Sequence, residues 1–305
     1  MATVDPSVTL HPNDLHAAPS LLSSIQTQSA SLLSPDTSAA GPGTTGGLGK
    51  VVLSLPSYLE DKGFKTPQGI ADGPLQYAHE TGMDMFEWLH ANPPAGEQFN
   101  RHMGGYANGR PAWYEEGFYP VEGRLLRGLE EGGAVLVDVG GGLGHDVRGF
   151  EKRWGQKIGA GRLVLQDLER VIEQIPGTEG GRVERMVYDF YTEQPVKGAR
   201  TYYLHSVLHD WPDELCVKIL ERIKAAMKPG YSRLLINENV IPDTGAHWET
   251  TALDVMLARV CCRRESALGL SGFACWKGML GSRWSRFIII GTTRGVEWRP
   301  LSSAS

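Results

Sequence analysis

The residues with the clearest chemical meaning are an acid and three glycines at alternate positions: Asp138, Gly140, Gly142 and Gly144. They follow a run of strand-forming residues. Because glycine lacks a Cβ, such a turn lets a ligand approach the bare backbone at the end of a buried strand. The spacing is not the dinucleotide fingerprint G-x-G-x-x-G, whose third glycine would fall on His145. Two interpretations stay open: a ligand-binding turn, or a tight strand-to-helix turn of an ordinary α/β protein.

Polar residues also end the next two strands that the sequence predicts. Asp167 ends the second strand, where a carboxylate can accept hydrogen bonds from both hydroxyls of a ribose, although it could equally cap the following helix. Asp189 and Phe190 end the third strand. An acid beside an aromatic ring suits an adenine, although the pair could form a plain turn. With the glycine turn, these strand ends predict an adenosyl site.

Alternating strands and helices must bring these residues together. From about Leu129 this alternation predicts an α/β fold, a mostly parallel Rossmann-like sheet with helices on both faces. Ligands of such sheets bind outside the C-terminal ends of the strands. The predicted strands are Ala134–Val139, Arg162–Gln166, Val183–Tyr188, Thr201–Leu204 and Arg233–Glu238, and the predicted helices are His145–Trp154, Glu169–Ile175 and Pro212–Met227.

The N-terminal third of the chain predicts a different organisation. Residues 1–50 are rich in Ser, Thr, Pro, Ala and Gly, so they bury little apolar surface and are expected to be disordered. Beyond them the periodicity predicts a helix that ends at Gly63, one over 75–92 that ends at Pro93-Pro94, and a short one from Phe99. The expected domains are 1–50 (low complexity), 51–128 (helical) and 129–305 (α/β).

Composition excludes several classes of protein. The 305 residues are 41% hydrophobic and 21% charged, as in globular proteins, and the net charge of −5 gives no basic footprint for nucleic acid or an anionic membrane. No apolar run is long enough for a transmembrane helix, and no secretory signal is recognisable. The four cysteines lack metal-ligand spacing and are expected to be reduced thiols, which favours a cytoplasmic location.

The segment Leu208-His-Asp-Trp-Pro-Asp-Glu214, followed by Cys216, resembles the signature of the plant and fungal O-methyltransferases related to caffeic acid O-methyltransferase. The pattern D-x-G-x-G-x-G is similar to the nucleoside-binding turn of S-adenosylmethionine-dependent methyltransferases. The resemblance covers roughly residues 55–265 and is strongest to fungal natural-product members. It extends through 73–79, 99–120, 189–195 and 237–242.

This resemblance implies roles for individual residues. His209 corresponds to the catalytic base, and Glu238 and Glu265 correspond to the two glutamates that flank it. The cofactor implied is S-adenosyl-L-methionine, with no metal. The residues implied to bind it are Asp138, Gly140, Gly142, Asp167, Asp189, Phe190 and His205.

The chemistry of methyl transfer agrees with these residue types. An imidazole with a pKa near ~6.5 can accept the proton of a phenol, and a carboxylate can orient the ring. The alternatives are that His209 caps backbone at a helix start and that Glu238 is a surface acid. Four apolar residues are candidates for an aromatic substrate pocket, although such residues usually belong to the core: Phe99, Met103, Trp113 and Met256.

Both ends of the chain depart from the family pattern. Relatives carry a longer winged-helix region that dimerises, so the homodimer that the resemblance implies is expected to be weakened here. After Glu265 no acid appears before Glu297, which suggests a changed reading frame or a gene-model error near Arg264. Phe287–Gly291 is then expected to form one edge strand, without the final hairpin of the sheet.

The sequence therefore predicts a fungal-type O-methyltransferase that acts on a phenolic hydroxyl of a small aromatic or polyketide-type molecule. Two alternatives remain. The chain could bind the cofactor without transferring methyl, as a pseudoenzyme or a rearrangement catalyst. It could also be an interaction partner of a full-length relative.

Overall fold

A computed structural model describes residues 43–65, 71–106, 112–177, 181–238, 287–291 and 299–300. The described residues up to 102 form one compact unit, and those from Met103 onwards form a second. Residues 1–42 lie outside the described part, so the disorder expected there stays a prediction. A domain boundary near residue 128 stays a prediction as well.

The described residues of the first unit are helical. The helices are α1 (Gly43–Asp61), α2 (Pro74–His79), α3 (Met85–Ala91) and α4 (Pro93–Tyr106), of which α4 continues into the second unit. Residues 43–50, expected to be disordered, instead form the start of α1. The unit is held together by a small apolar core made of Val51, Leu75, Ala78, Met85, Trp88 and Leu89.

The single helix predicted over residues 75–92 is wrong, because two local features divide it. Glu80 adopts left-handed backbone angles with φ of 51°, which ends α2. Asp84 then caps α3: its side chain accepts from the Glu87 backbone N–H at 2.8 Å, and the Glu87 carboxylate accepts from the Asp84 backbone N–H at 3.0 Å. The next helix begins at Pro93 rather than at Phe99, since proline is well tolerated in a first helical turn.

The second unit contains the predicted parallel sheet. Strand and helix alternate as β1 (Ala134–Val139), α5 (His145–Trp154), β2 (Arg162–Asp167), α6 (Glu169–Ile172), β3 (Val183–Val187), β4 (Thr201–His205), α7 (Asp213–Ala226) and β5 (Arg233–Glu238). The described strands are ordered β3-β2-β1-β4-β5, with all these neighbours parallel. Their carboxyl ends therefore lie along one edge of the sheet, as the sequence predicts.

The sheet continues beyond β5 through two further strands. β6 (Phe287–Gly291) pairs in parallel with β5, and β7 (Arg299–Pro300) pairs antiparallel with β6. The prediction of a strand over Phe287–Gly291 is confirmed, but its expected place at the edge is wrong. Ile288 and Ile289 pair with β7, so a short antiparallel pair closes this side of the sheet.

Apolar side chains cover both faces of the sheet. One cluster packs α7 against the strands through Cys216, Ile219, Leu220 and Ile223, all fully buried. The other packs Val147 and Phe150 of α5 against Leu136, Leu163 and Leu165. Helices on both faces are thereby confirmed. Within the part of the chain that the structure describes, no helix is long and apolar enough to cross a membrane.

A buried arginine fastens the turn before β1 to the sheet. Arg200 is 4% exposed. Its guanidinium donates to the carbonyls of Leu125 (2.8 Å) and Tyr231 (2.9 Å) and, through Nη2, to those of Arg124 (3.0 Å) and Arg127 (2.6 Å). Because these acceptors are backbone groups, Arg200 satisfies carbonyls that the turn would otherwise leave unpaired.

We expect Arg200→Met to lower the free energy of unfolding by about 2–3 kcal/mol, since the buried carbonyls lose their donors. The measurement is urea unfolding followed by circular dichroism. The matched control is Arg162→Met, which removes an exposed ion pair with Glu184 at 2.6 Å and should cost no more than about 1 kcal/mol. Equal losses in the two variants would show that the buried contacts of Arg200 contribute little.

Candidate active site

The glycine turn after β1 requires its glycines for two reasons. Gly140, Gly142 and Gly144 have φ of 69°, 58° and 81°, in the left-handed region that side chains rarely adopt. A Cβ on Gly141 would lie 2.6 Å from the Asp138 carboxyl group, and one on Gly140 would lie 3.0 Å from Val207 Cγ2. The backbone N–H of Gly140 donates to the Gln166 carbonyl at 2.8 Å. The turn is therefore fixed against β2 and against the segment after β4.

Above Gly142 the structure leaves room for a ligand. A Cβ built there meets no described atom within 4 Å, unlike those on Gly140 and Gly144. Its backbone N–H donates to Asp167 Oδ2 at 2.8 Å. The turn thus joins a bare stretch of backbone to the carboxylate at the end of β2.

Asp138 lies beneath this turn rather than at its surface. Asp138 is only 1% exposed, so its carboxylate does not face the open side of the turn. Burial raises the pKa of Asp138 well above its ordinary value, and the negative charges of Asp146 and Asp167 raise it further. Its assignment as a cofactor-binding residue stays a prediction, and its visible role is to support Gly141 from below.

We expect Asp138→Asn to be more stable than the wild type above about pH 5, by a margin that grows with pH. Because the folded-state pKa is raised, the wild type loses stability as pH climbs past the unfolded value, at up to ~1.4 kcal/mol per pH unit, whereas Asn is neutral throughout. Urea unfolding at about pH 5 and about pH 8, with exposed Glu131→Gln as the control, measures this margin. A stability margin that stays constant or shrinks with pH would contradict a raised pKa of Asp138 in the folded protein.

Asp167 keeps acceptor capacity for a ligand. Oδ2 accepts from Gly142 N, and Oδ1 accepts from Leu168 N at 2.7 Å. A carboxylate oxygen has two lone pairs, so each oxygen can accept one more hydrogen bond. Burial raises the pKa of Asp167, and the two backbone donors oppose that rise. The side chain is half-buried, as expected of a group that faces a ligand from the end of β2.

Asp189 and Phe190 form a compact turn after β3. Asp189 is exposed, and its Oδ1 accepts from the Tyr191 backbone N–H at 2.9 Å. The Phe190 ring is half-buried and meets the Trp211 ring edge to face, with centroids 5.8 Å apart. These contacts agree with the interpretation of the pair as a plain turn. They also leave an exposed carboxylate beside a fixed aromatic ring, which an adenine could still contact.

His205 ends β4 and pairs with an acid that the sequence analysis missed. Its Nδ1 lies 2.6 Å from Asp146 Oδ2, and the two side chains are 22% and 20% exposed. Asp146 is the second residue of α5, directly after the glycine turn. The sequence shows only that Asp146 is an acid in the first turn of a predicted helix. Acids are common at that position, so it does not indicate a site.

His209 and Glu238 form a buried pair at the ends of β4 and β5. His209 lies in a 3₁₀ turn (Leu208–Asp210), and its Nδ1 is 2.8 Å from Glu238 Oε2. Glu238 Oε1 accepts from the backbone N–H groups of Val207 (3.0 Å) and Leu208 (2.9 Å). Glu238 is fully buried, so its interpretation as a surface acid is wrong.

The charge of Glu238 is stabilised by these partners. Burial alone would raise the pKa of Glu238, but the charge and hydrogen bond of His209, with the Leu208 amide, hold it below its ordinary value. An ionised Glu238 requires the proton of neutral His209 to sit on Nδ1, which leaves Nε2 as the basic nitrogen. Asp210 Oδ1 lies 3.4 Å from Nε2, close enough to stabilise an imidazolium.

The structure describes three of the four expected pocket residues. Trp113 is 1% exposed and packs in the core, stacked on Tyr203 with centroids 4.8 Å apart. Its ring therefore positions β4 rather than lining open space. Met103 is 36% exposed, and Phe99 packs edge to face on Phe86. Met256 and Glu265 lie outside the described residues, so their roles stay predictions.

Comparison with known proteins identifies the family that the chain matches. The O-methyltransferase domain family matches residues 65–267. The chain is 40% identical over 247 residues to the O-methyltransferase mpaG of Penicillium brevicompactum, an alignment covering 80% of this chain and 60% of that relative.

Solved structures give the same fold. A crystal structure of OxaC in complex with SAH and oxaline is 31% identical with a TM-score of 0.63, over 72% of this chain and 55% of that one. A pericyclic reaction enzyme is 28% identical with a TM-score of 0.63, over 77% of this chain and 58% of that one. The chain therefore spans between 55% and 60% of the length of these three relatives.

Proposed function

The chain belongs to the O-methyltransferase domain family, and on that basis we propose that it binds S-adenosylmethionine and methylates a hydroxyl group of a small natural product. The observation that carries the proposal is the buried His209–Glu238 pair, with Nδ1 and Oε2 2.8 Å apart, at the carboxyl ends of β4 and β5; β4 pairs directly with β1, which leads into the glycine turn. A base is thereby held where neighbouring strands end beside an adenosyl-type site.

The residues at the strand ends fit such a cofactor, which supplies an electrophilic methyl group on a sulfonium. The open space above Gly142 admits a ligand to the backbone. Asp167 has acceptor capacity for ribose hydroxyls, and Phe190 offers a fixed ring face for the adenine. Because the order of the sheet is β3-β2-β1-β4, these groups follow one another along its edge. One extended ligand can therefore contact all of them.

In this proposal His209 is the general base. Glu238 holds the Nδ1 proton, so Nε2 can accept the proton of a hydroxyl as that oxygen attacks. The resulting imidazolium is stabilised by Glu238 on one side and Asp210 on the other. A phenol is the favoured substrate group, because its acidity is closer to that of an imidazole than the acidity of an alcohol is.

The proposed substrate class is supported by relatives of the chain and not by contacts within its described residues. The OxaC crystal structure contains oxaline, a small molecule. For this chain we propose a small aromatic or polyketide-type substrate. The residue assignments Phe99, Met103, Met256 and Glu265, the homodimer and the cytoplasmic location stay predictions.

The test is incubation of the purified chain with S-adenosylmethionine and a panel of phenols and alcohols, with mass detection of product and of S-adenosylhomocysteine. The proposal expects a methylated phenol and an equal amount of S-adenosylhomocysteine. Methylation on carbon or nitrogen alone, or methylation of alcohols but not phenols, would contradict the proposed acceptor.

A second function is favoured by one neighbour, the pericyclic reaction enzyme of similar fold. In that case the chain would bind the cofactor and rearrange a substrate without consuming the cofactor. The same incubation separates the two functions. Rearranged product without S-adenosylhomocysteine would favour the pericyclic function over methyl transfer.

A further inference from the structure

A chain of hydrogen bonds joins α5, β4 and β5 beside the glycine turn. Asn237 Nδ2 donates to Tyr203 Oη at 2.9 Å, and Tyr203 Oη lies 2.8 Å from Asp146 Oδ2. The same carboxylate oxygen lies 2.6 Å from His205 Nδ1. One oxygen of Asp146 therefore receives both a phenol and an imidazole.

The direction of these bonds follows from the burial of Tyr203. The residue is fully buried, and burial raises the pKa of its hydroxyl well above the ordinary value, so it keeps its proton. Because Asn237 donates to that oxygen, the Tyr203 proton points to Asp146. Tyr203 thereby fixes the position of the carboxylate from behind.

Asp146 is then an anionic acceptor for His205. Burial opposes its ionisation, but the hydrogen bond and charge of His205, with the Tyr203 bond, hold the pKa of Asp146 below its ordinary value. Its place in the first turn of α5 favours a negative charge as well. His205 must therefore carry a proton on Nδ1. Among the described residues, no hydrogen bond to His205 Nε2 is found, so this nitrogen is available to a ligand.

The order of the strands indicates which part of a cofactor reaches that nitrogen. With adenine at the end of β3 and ribose at the end of β2, the methionyl end of S-adenosylmethionine lies at β1 and β4, where His205 stands. This step rests on the proposed function. That end carries an α-ammonium and an α-carboxylate, so it offers polar groups to the Nε2 of His205.

We propose that Asp146 is a positioning residue that holds the Nδ1 proton and the ring orientation of His205, so that Nε2 binds the amino-acid end of the cofactor. Asp146 makes no contact with the ligand itself. It acts through His205, whose ring orientation and Nδ1 proton it fixes.

The experiment compares two probes by calorimetric titration of the whole chain. S-Adenosylhomocysteine carries the amino-acid end, whereas 5′-methylthioadenosine shares the adenosyl thioether and lacks that end. Asp146→Asn preserves the shape of the side chain and removes its charge. We expect affinity for S-adenosylhomocysteine to fall about tenfold and affinity for 5′-methylthioadenosine to change less than about twofold.

A double-mutant comparison tests whether Asp146 acts through His205. In a His205→Ala background, Asp146→Asn should cost no further affinity for S-adenosylhomocysteine, because the mediating ring is gone. The control is Glu214→Gln, which removes an exposed acid from the first turn of α7 and should leave both affinities unchanged. Additive losses in the double variant would overturn the proposal.

The remaining outcomes are also decisive. If Asp146→Asn weakens both probes equally, the residue supports the fold of the turn and the proposal is wrong, while the proposed function stands. If the folded wild type binds neither probe, the proposed function fails and this inference fails with it. A ¹⁵N spectrum of His205 that shows the ring proton on Nε2 alone would overturn the proposal independently of any ligand.

Discussion

His209→Ala is expected to lower kcat for methyl transfer by about 10²–10⁴-fold and to leave the affinity for S-adenosylhomocysteine within about threefold of the wild type. The loss follows from the removal of Nε2, the nitrogen that is basic when the histidine proton is held on Nδ1 by Glu238. The cofactor residues of the proposal belong to other segments of the chain, the turns after β1 and β3 and the ends of β2 and β4. Single-turnover kinetics with a phenolic substrate measures the chemical step directly.

Two further variants keep this prediction falsifiable. His209→Ala leaves Glu238 buried with only its backbone partners, so a loss of stability could imitate a loss of catalysis. His209→Asn places an amide donor near Glu238 and still lacks a base, so it should be stable and equally inactive. His90→Ala, at an exposed position, is the control for loss of an imidazole. Turnover in His209→Asn close to that of the wild type would remove His209 from the mechanism.

Glu238→Gln is expected to reduce kcat by about 10²-fold or more while the protein stays folded. The carbonyl oxygen of glutamine can still accept from Val207 and Leu208, which preserves the turn. Its amide group, however, donates to Nδ1 and thereby moves the histidine proton to Nε2, the nitrogen that must be basic. The tautomer change can be followed by ¹⁵N spectroscopy of His209 alongside the activity assay.

Glu238→Ala should act differently from Glu238→Gln. It leaves the backbone N–H groups of Val207 and Leu208 without their acceptor and removes the carboxylate that faces His209 Nδ1, so about 3–5 kcal/mol of the free energy of unfolding should be lost. Glu130→Gln, which removes an exposed ion pair with Lys228, is the control and should cost less than about 1 kcal/mol. If Glu238→Gln keeps full activity, the carboxylate does not set the histidine tautomer.

The α/β part of the fold was predictable because its local signals agree with its packing. β1 and α5 have the predicted bounds, since a wholly buried strand is a nearly continuous apolar run, here interrupted by Asp138, and the glycine turn marks the start of the helix. The helical region was less predictable. Glu80 and Asp84 break a periodic pattern through backbone angles and capping bonds, which apolar spacing alone does not reveal.

The site was predictable only in part, for a physical reason. Residues that end strands, such as Asp167, His205 and Glu238, could be assembled because parallel strands end at one edge. Asp146 could not be found, because its role depends on bonds to Tyr203 and His205 across the fold. The buried place of Trp113 likewise results from stacking on Tyr203, and sequence patterns do not distinguish a core ring from a pocket ring.

The central claim is that the carboxyl ends of β1 to β4 hold an adenosyl cofactor beside His209, and equilibrium binding of S-adenosylhomocysteine tests it most directly. We predict that the wild type binds one molecule per chain and that Asp167→Asn, which removes a charge and an acceptor at the end of β2, binds it at least about tenfold more weakly. A folded wild type that does not bind, or an Asp167→Asn variant that binds equally well, would contradict the account.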